Sequence, residues 1–307
     1  MKSCTRTLAL ACLAAFALLF AVSTPAQRRS TLAPNLAQTH NSDATAANGQ
    51  QQKHDEASSD VDSCSYTFTS GTGVSYLQFC VTTNGNIVEF ENPSGVDQIR
   101  QGGIDEGYGL CDITTEVAYY DYAEGGASGW GTPTTVTHTS TMVKIERTTS
   151  DGAWTLTQTI NSVAGTNPYA KMTMALKNNS GESKEAFFER YADVDPGNPA
   201  ETTSTFTENF DGDLNSAWGY VPYSLQGNGA LEGLMIQTVG NVTPTSVPTS
   251  HNGYGQNTAD GPTPCTPFAN VPSPTTITDT DGSVMMLWYF GLNKEQTATF
   301  TARYVAF

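Results

Sequence analysis

The stretch FFERYADVDPGN, residues 187–198, joins an aromatic run to an acidic turn. Its aromatic residues and Val194 suit a β-strand, although residues 183–192 could also form one or two amphipathic helical turns. One basic and three acidic residues lie between Glu189 and Asp195, in a chain whose charged fraction is only 14%. We therefore expect a strand that runs directly into an acidic turn.

On both sides of this stretch, apolar residues recur with a period of two. Residues 154–160 alternate Trp, Leu, Gln and Ile with Thr, and residues 170–176 and 299–304 alternate in the same way. Residues 284–290 are apolar on both faces, which predicts a central strand, and the turn at 293–296 should join it to the last strand as a hairpin. Recurrent Asn-Gly, Asp-Gly and Ser-Gly pairs mark further turns. The pattern predicts an all-β fold, a large antiparallel β-sandwich of two packed sheets with about a dozen strands, large enough to be of the supersandwich kind.

The closing hairpin and the aromatic-rich strand before Asp193 resemble elements of the large β-sandwich domains of sugar-processing proteins. This resemblance covers two elements and no motif, so it assigns no role to any residue. The sequence shows no βαβ alternation, internal repeat or phosphate-binding loop. It also lacks the G-x-S-x-G and H-E-x-x-H catalytic motifs.

The first 26 residues have the features of an export signal. Lys2 and Arg6 precede an apolar run over residues 8–22, and residues 24–26 offer a small-residue cleavage site. A membrane anchor is the alternative, but the run is shorter than the roughly 20 residues that a spanning helix needs. We expect no membrane span after cleavage of residues 1–26.

Two further segments follow the signal. Residues 27–62 are rich in Ser, Thr, Ala, Asn and Gln, which predicts a disordered polar tether. Residues 63–307 should form a single β-sandwich domain, and they hold 9 Lys and Arg against 25 Asp and Glu. Because nucleic-acid binding needs a basic surface, this acidic balance argues against nucleic acid as a partner.

Cysteine usage indicates an oxidising compartment. Four cysteines remain after signal cleavage: Cys64, Cys80, Cys111 and Cys265. An even number in an exported chain predicts two disulfides, with three possible pairings, and we favour Cys80 with Cys111 and Cys64 with Cys265. Zinc is the weaker alternative, because no C-x-x-C spacing occurs and no His lies near a Cys. The expected location is secreted or extracytoplasmic, in a periplasm or at a cell surface.

Two acidic turns offer oxygen ligands at short spacing. They consist of Asp193, Asp195 and Asn198, and of Asp211, Asp213 and Asn215. Calcium takes six to eight oxygen ligands, so calcium is the one candidate cofactor, with the four aspartates as its ligands. Ordinary turn capping by Asp is the simpler explanation, because neither turn has the bidentate Glu of an EF-hand.

Aromatic residues concentrate near Gly-rich loops. Tyr120 and Tyr122 share a strand face, and Trp130 ends a Gly-rich segment. Tyr254 and His251 lie in a long loop, where functional groups are common. Aromatic rings with a polar tip suit the C–H faces of sugars, although a sandwich core also uses such rings. These five residues are the candidate ligand-binding set.

Three functions are compatible with these features. The first is an exported module that binds an extracellular ligand, with carbohydrate as the candidate, or a cell-surface component. The second is a structural or adhesive surface protein without a small ligand. The third is a carbohydrate-active enzyme, a lyase, epimerase or hydrolase, that uses carboxylates near Asp193. Its candidate acids and bases are Glu106, Glu189, Asp193 and Asp195, and convergence of Glu189, Asp193 and His251 in a concave pocket would distinguish it from the other two functions.

Overall fold

The structure is a computed structural model, and its described part lies within one compact unit of the chain, Ala46–Phe307. The described residues are 63–99, 106–123, 126–196, 208–221, 231–240, 250–256, 264–265, 277–280 and 282–307. The predicted signal peptide and tether, residues 1–62, lie outside them. No helix in the described ranges is long and apolar enough to cross a membrane.

The described ranges form eighteen strands and one 3₁₀ turn, Gly73–Ser75. In chain order the strands are β1 (Tyr66–Ser70), β2 (Leu77–Val81), β3 (Ile87–Glu91), β4 (Glu106–Asp112), β5 (Val117–Tyr122), β6 (Gly126–Ser128), β7 (Thr134–His138), β8 (Met142–Thr148), β9 (Trp154–Val163), β10 (Tyr169–Asn178), β11 (Lys184–Asp193), β12 (Glu208–Gly212), β13 (Ser216–Val221), β14 (Glu232–Thr238), β15 (Ser250–Gln256), β16 (Ile277–Thr280), β17 (Ser283–Leu292) and β18 (Thr297–Ala306).

The strands assemble into two large sheets and a small one. The nine-stranded sheet has the order β16-β12-β13-β14-β18-β10-β9-β8-β7, and the six-stranded sheet has the order β15-β17-β11-β4-β5-β6. The small sheet is β1-β2-β3, and the strand pairs are antiparallel throughout. The all-β antiparallel sandwich is therefore confirmed, with more strands than the expected dozen because short edge strands such as β6 and β16 carry little alternation.

The two large sheets pack face to face over a shared apolar core. On β9 and β10 every second residue is buried, as the period-two pattern predicted. Between the sheets, the Phe300 ring centroid lies 5.0 Å from that of Phe188 and 4.9 Å from that of Trp288. Because β11 and β17 direct their even-numbered residues into this core, their odd-numbered residues lie on the outer face of the six-stranded sheet.

The predicted closing hairpin is wrong. β17 pairs with β11 and β15 in the six-stranded sheet, whereas β18 pairs with β10 and β14 in the nine-stranded sheet. The turn at 293–296 therefore carries the chain from one sheet to the other. A tight turn with Glu295 at φ +59° is compatible with either connection, so the sequence pattern alone could not distinguish them.

The predicted cysteine pairing is also wrong, although two disulfides are present. Cys64 bonds Cys80, with Cα atoms 5.4 Å apart, because Cys64 lies two residues before β1 and the β1–β2 pairing brings this part of the chain beside β2. Cys111 on β4 bonds Cys265, with Cα atoms 4.9 Å apart. Cys80 belongs to the small sheet and Cys111 to the six-stranded sheet, which separates the two residues that we expected to pair. We call these bonds the hairpin disulfide and the strap disulfide.

Candidate functional site

The outer face of the six-stranded sheet carries an aromatic surface with one buried acid at its centre. Strand register places Glu189 between Leu287 on β17 and Gly109 on β4, and Tyr120 lies beyond Gly109. We call this surface the outer face. Its described side chains include Tyr120, Tyr122, Phe187, Glu189, Tyr191, Tyr254, Met285, Leu287 and Tyr289.

Two glycines of β4 make room for this arrangement. A Cβ atom at Gly109 would lie 2.5 Å from Glu189 Oε1 and would also collide with Pro264, and a Cβ at Gly107 would lie 2.5 Å from the Tyr122 ring. The side chains of Glu189 and Tyr122 therefore lie over β4, in space that any larger residue would fill.

Glu189 is buried, with an exposed fraction of 1%. The Tyr122 hydroxyl donates a short hydrogen bond to Oε1, and Oε2 has no hydrogen-bond partner among the described residues. Burial raises the pKa of the Glu189 carboxyl to about 8, and the Tyr122 hydrogen bond opposes only part of that rise. The group therefore keeps its proton at neutral pH.

The strap disulfide lies on the same face. Cys111 is two residues from Gly109 on β4, and its partner Cys265 follows the buried Pro264. Pro264 lies directly over Gly109, next to Glu189. The disulfide thus holds a short covering segment against the central acid.

Aromatic rings flank Glu189 on both sides. Tyr120 stacks on Tyr122 with ring centroids 5.5 Å apart and planes 19° apart, and Phe187 packs against Tyr289 at 5.1 Å. Tyr120, Phe187 and Tyr289 are half-buried, so part of each ring reaches solvent. Tyr254 is more enclosed, because it packs with Met285 and Leu287.

The five predicted ligand-binding residues are not all together. Tyr120, Tyr122 and Tyr254 lie on the outer face, but Trp130 packs edge-on against Tyr108, whose ring belongs to the core, with centroids 5.7 Å apart.

His251 lies on the opposite side of β15 from Tyr254, and its Nε2 lies 3.0 Å from Asn215 Oδ1, in the β12–β13 connection. Glu189 and His251 are consequently on different faces of one sheet. Glu189, Asp193 and His251, whose convergence would distinguish an enzyme, therefore do not form one site.

The four aspartates proposed as calcium ligands fall into two groups. Asp193 and Asp195 are buried at and just after the end of β11. In the second turn, Asp211 Oδ1 accepts from the backbone N–H of Gly212, and Asp213 Oδ1 accepts from that of Ser216 at 2.7 Å, which is turn capping. Asn198 lies outside the described residues. Within the described ranges no group of three or more His, Cys, Asp or Glu side chains could hold a metal ion, and calcium stays a prediction.

A second set of buried charges lies between the sheets, where each carboxylate has several donors. Glu106 accepts from Arg190 Nη2 at 2.9 Å, from the Ile87 backbone N–H at 2.7 Å and from the Tyr304 hydroxyl at 2.9 Å. Burial raises the pKa of Glu106 to about 7, and the adjacent guanidinium counters that rise. Glu106 was a candidate acid or base, but both of its oxygens accept hydrogen bonds within the fold, which is typical of a carboxylate with a structural role.

Sequence reasoning missed the contrast between these two acids and the pairing of Arg147 with Asp121, both of which are buried. One signal was present. Gly107 and Gly109 alternate within a strand, and glycine in a strand marks a close approach of other groups.

The chain matches no protein-family model, and no curated protein sequence matches it. Solved structures of similar fold include a bacterial glucoamylase complexed with acarbose, at 11% identity and a TM-score of 0.48 over 80% of this chain. This chain spans 32% of that one. A galactose mutarotase related enzyme from Lactobacillus acidophilus has 6% identity and a TM-score of 0.42, with 79% of this chain and 97% of that chain covered. At such values the similarity carries no argument about ligand or reaction.

Proposed function

We propose that the protein is an exported module that binds an extracellular carbohydrate on the outer face. The observation that carries this proposal is the set of partly exposed aromatic rings, Tyr120, Phe187 and Tyr289, which flank the buried carboxyl group of Glu189 on the outer face. Aromatic rings pack on the C–H faces of sugars, and carboxyl and phenol groups pair with sugar hydroxyls. Two disulfides are typical of proteins in an oxidising, extracytoplasmic compartment, which supports the exported location.

Binding of the full chain, with both disulfides formed, to a glycan array tests this proposal. The Tyr120→Ala variant removes a half-buried ring of the outer face and should weaken binding about three- to tenfold. Tyr220→Ala is the matched control, because Tyr220 is also half-buried but lies on β13 of the nine-stranded sheet, away from the outer face. Its ring packs against that of Phe307. If no glycan binds, the carbohydrate proposal fails and the structural or adhesive function is favoured.

A second candidate function is catalysis on carbohydrate by the Glu189–Tyr122 pair. A carboxyl that keeps its proton to about pH 8 can act as a general acid at neutral pH, and this environment favours a lyase, epimerase or hydrolase function near Asp193. Glu189→Gln should then abolish turnover and change binding only a few-fold. Turnover is measured as release of reducing ends for a hydrolase, formation of unsaturated sugar for a lyase, or exchange between the NMR signals of the two epimers for an epimerase. A Glu189→Gln variant with wild-type turnover would exclude Glu189 as the acid.

A further inference from the structure

The solvent side of the nine-stranded sheet collects positive charge in an acidic protein. On β8, β9, β10, β14 and β18 the solvent-facing positions carry four cations and one acid, Glu146. The cations are half of the eight described Lys and Arg residues, namely Lys144, Lys171, Lys177 and Arg303. We call this side of the sheet the basic face. Its charge is opposite in sign to the net charge of the chain, −16.

Two of these cations face each other across neighbouring strands. Strand register places Lys171 on β10 directly opposite Arg303 on β18, and in the described ranges neither forms a salt bridge with a carboxylate. Arg303 Cζ lies 5.2 Å from the centroid of the Tyr169 ring, and Arg303 Nε donates to Gln237 Oε1 at 2.9 Å. Like charges in directly opposed positions repel each other, so anions placed over this pair would relieve a repulsion that the fold leaves in place.

Apolar side chains lie beside these cations on the same side of the sheet. In the row next to Arg303, register aligns Trp218, Met235 and Val305 on β13, β14 and β18, and all three are half-buried. Phe307 follows two residues after Val305 and is 44% exposed. The basic face therefore borders an apolar end that reaches solvent.

We propose that the basic face docks on the surface of an anionic lipid bilayer, with Lys171 and Arg303 among the headgroups and Trp218 and Phe307 at the boundary with the acyl chains. Lys and Arg are attracted to anionic headgroups, and Trp and Phe favour the membrane interface. This proposal goes beyond carbohydrate binding and does not depend on it. Because the outer face belongs to the opposite sheet, docking in this orientation leaves the outer face directed towards the medium.

The acidic remainder of the protein does not prevent this docking. At physiological ionic strength, charges separated by more than about 8 Å are largely screened. Packed sheets lie about 10 Å apart, so Glu185 and the other acids of the outer face are beyond this distance from the basic face. Two described acids lie on the bilayer-facing side of the nine-stranded sheet, Glu146 on β8 and Asp211 on β12, and the four cations outnumber them.

Co-sedimentation of the full chain, with both disulfides formed, with lipid vesicles tests this proposal. Vesicles of phosphatidylglycerol and phosphatidylcholine, mixed about one to two, are compared with vesicles of phosphatidylcholine alone. The protein should bind the anionic vesicles at least about tenfold more tightly, and added NaCl should weaken this binding. Each cation near an anionic surface strengthens binding about fivefold, so Lys171→Gln combined with Arg303→Gln should weaken it about 25-fold.

Two matched acidic substitutions locate the docking surface. Ala175→Glu adds a negative charge at a half-buried position of the basic face, two residues from Lys177, and should weaken vesicle binding about fivefold. Ala118→Glu makes the same change of net charge at a half-buried position of the outer face and should alter vesicle binding less than about twofold. Guanidinium unfolding of each variant checks that it is folded.

Phe307→Ala distinguishes a lipid surface from a soluble polyanion. Because the ring should reach the acyl boundary, the variant should bind anionic vesicles at least about threefold more weakly and bind inorganic polyphosphate as the wild type does.

Three results would overturn the proposal: equal binding to both kinds of vesicle, an equal response to Ala175→Glu and Ala118→Glu, or wild-type vesicle binding by Phe307→Ala. The last of these, together with tight binding of polyphosphate, would assign the basic face to an anionic polymer. These measurements use no sugar ligand, so carbohydrate binding on the outer face is tested separately.

Discussion

Replacement of Glu189 by Gln should change how the stability of the protein depends on pH. The pKa of Glu189 rises from 4.5 to about 8 on burial in the folded protein. Between these values the unfolded chain has lost the proton and the folded chain retains it. Folding then binds a proton, so the free energy of unfolding falls as pH rises through this window.

The magnitude follows from the size of the shift. Each pH unit in the window costs about 1.4 kcal/mol, which gives about 3 kcal/mol at pH 7 and about 5 kcal/mol above pH 8. Since total stabilities of domains are about 5–15 kcal/mol, this is a large fraction. Glu189→Gln cannot ionise, so it should equal the wild type below pH 4.5 and exceed it in stability by about 3 kcal/mol at pH 7.

Guanidinium unfolding of both proteins at pH 5, 6, 7 and 8, with disulfides intact, measures this difference. Glu185→Gln is the matched control, because Glu185 is exposed on the same strand and should keep the wild-type pH dependence. If wild type and Glu189→Gln have the same slope of unfolding free energy from pH 5 to 8, Glu189 is ionised in the folded protein and the reasoning about its burial is refuted.

Three further changes test the packing at Glu189, the buried ion pair of Arg190 with Glu106, and the strap disulfide. Gly109→Ala should lower the free energy of unfolding by about 1–3 kcal/mol, because the new Cβ would lie 2.5 Å from Glu189 Oε1. Gly291→Ala is the control on the same face: its Cβ would have no atom within 4 Å, and the free energy of unfolding by guanidinium should not change. Arg190→Met leaves Glu106 buried without its cation and should cost about 3–5 kcal/mol at pH 8, by guanidinium unfolding. Serine substitution of both cysteines of the strap disulfide should lower the free energy of unfolding by about 5 kcal/mol. It should also reduce the pH effect of Glu189→Gln, because water then reaches the acid. The same substitution in the hairpin disulfide should lower the free energy of unfolding by about 3 kcal/mol and leave that pH effect unchanged.

The sequence predicted the fold class because strand alternation is a local property. Residues 154–160 alternate buried and half-buried as the pattern required, and β17 is central in its part of the six-stranded sheet because residues 284–290 are apolar on both faces. Alternation also placed Tyr120 and Tyr122 on one face. It does not say which sheet a strand joins, so the β17–β18 connection and the disulfide pairing could not be derived from it.

The candidate site was only partly predictable for the same reason. Tyr254 and His251 are three residues apart, so their side chains lie on opposite sides of β15. The two residues were predicted to share a site because they are close in the sequence. Trp130 follows a Gly-rich loop that suggested exposure, yet its ring packs on Tyr108 and lies 5.9 Å below the Arg147 guanidinium. These outcomes depend on tertiary packing that no local pattern contains.

Adjacent residues of β11 show why burial alone does not mark a functional acid. Arg190 points between the sheets, where it donates hydrogen bonds to Glu106. The Ile87 backbone N–H and the Tyr304 hydroxyl also donate to Glu106, so the carboxylate has a complete set of partners. Glu189 points the opposite way, and one of its oxygens has no partner among the described residues. A pair that is complete in the folded protein has nothing left to offer a ligand. Glu189 is itself enclosed, and the half-buried rings beside it, Tyr120, Phe187 and Tyr289, are the groups of this face that reach solvent, which is why the ligand site is placed on the outer face and the charge cluster between the sheets is assigned to stability.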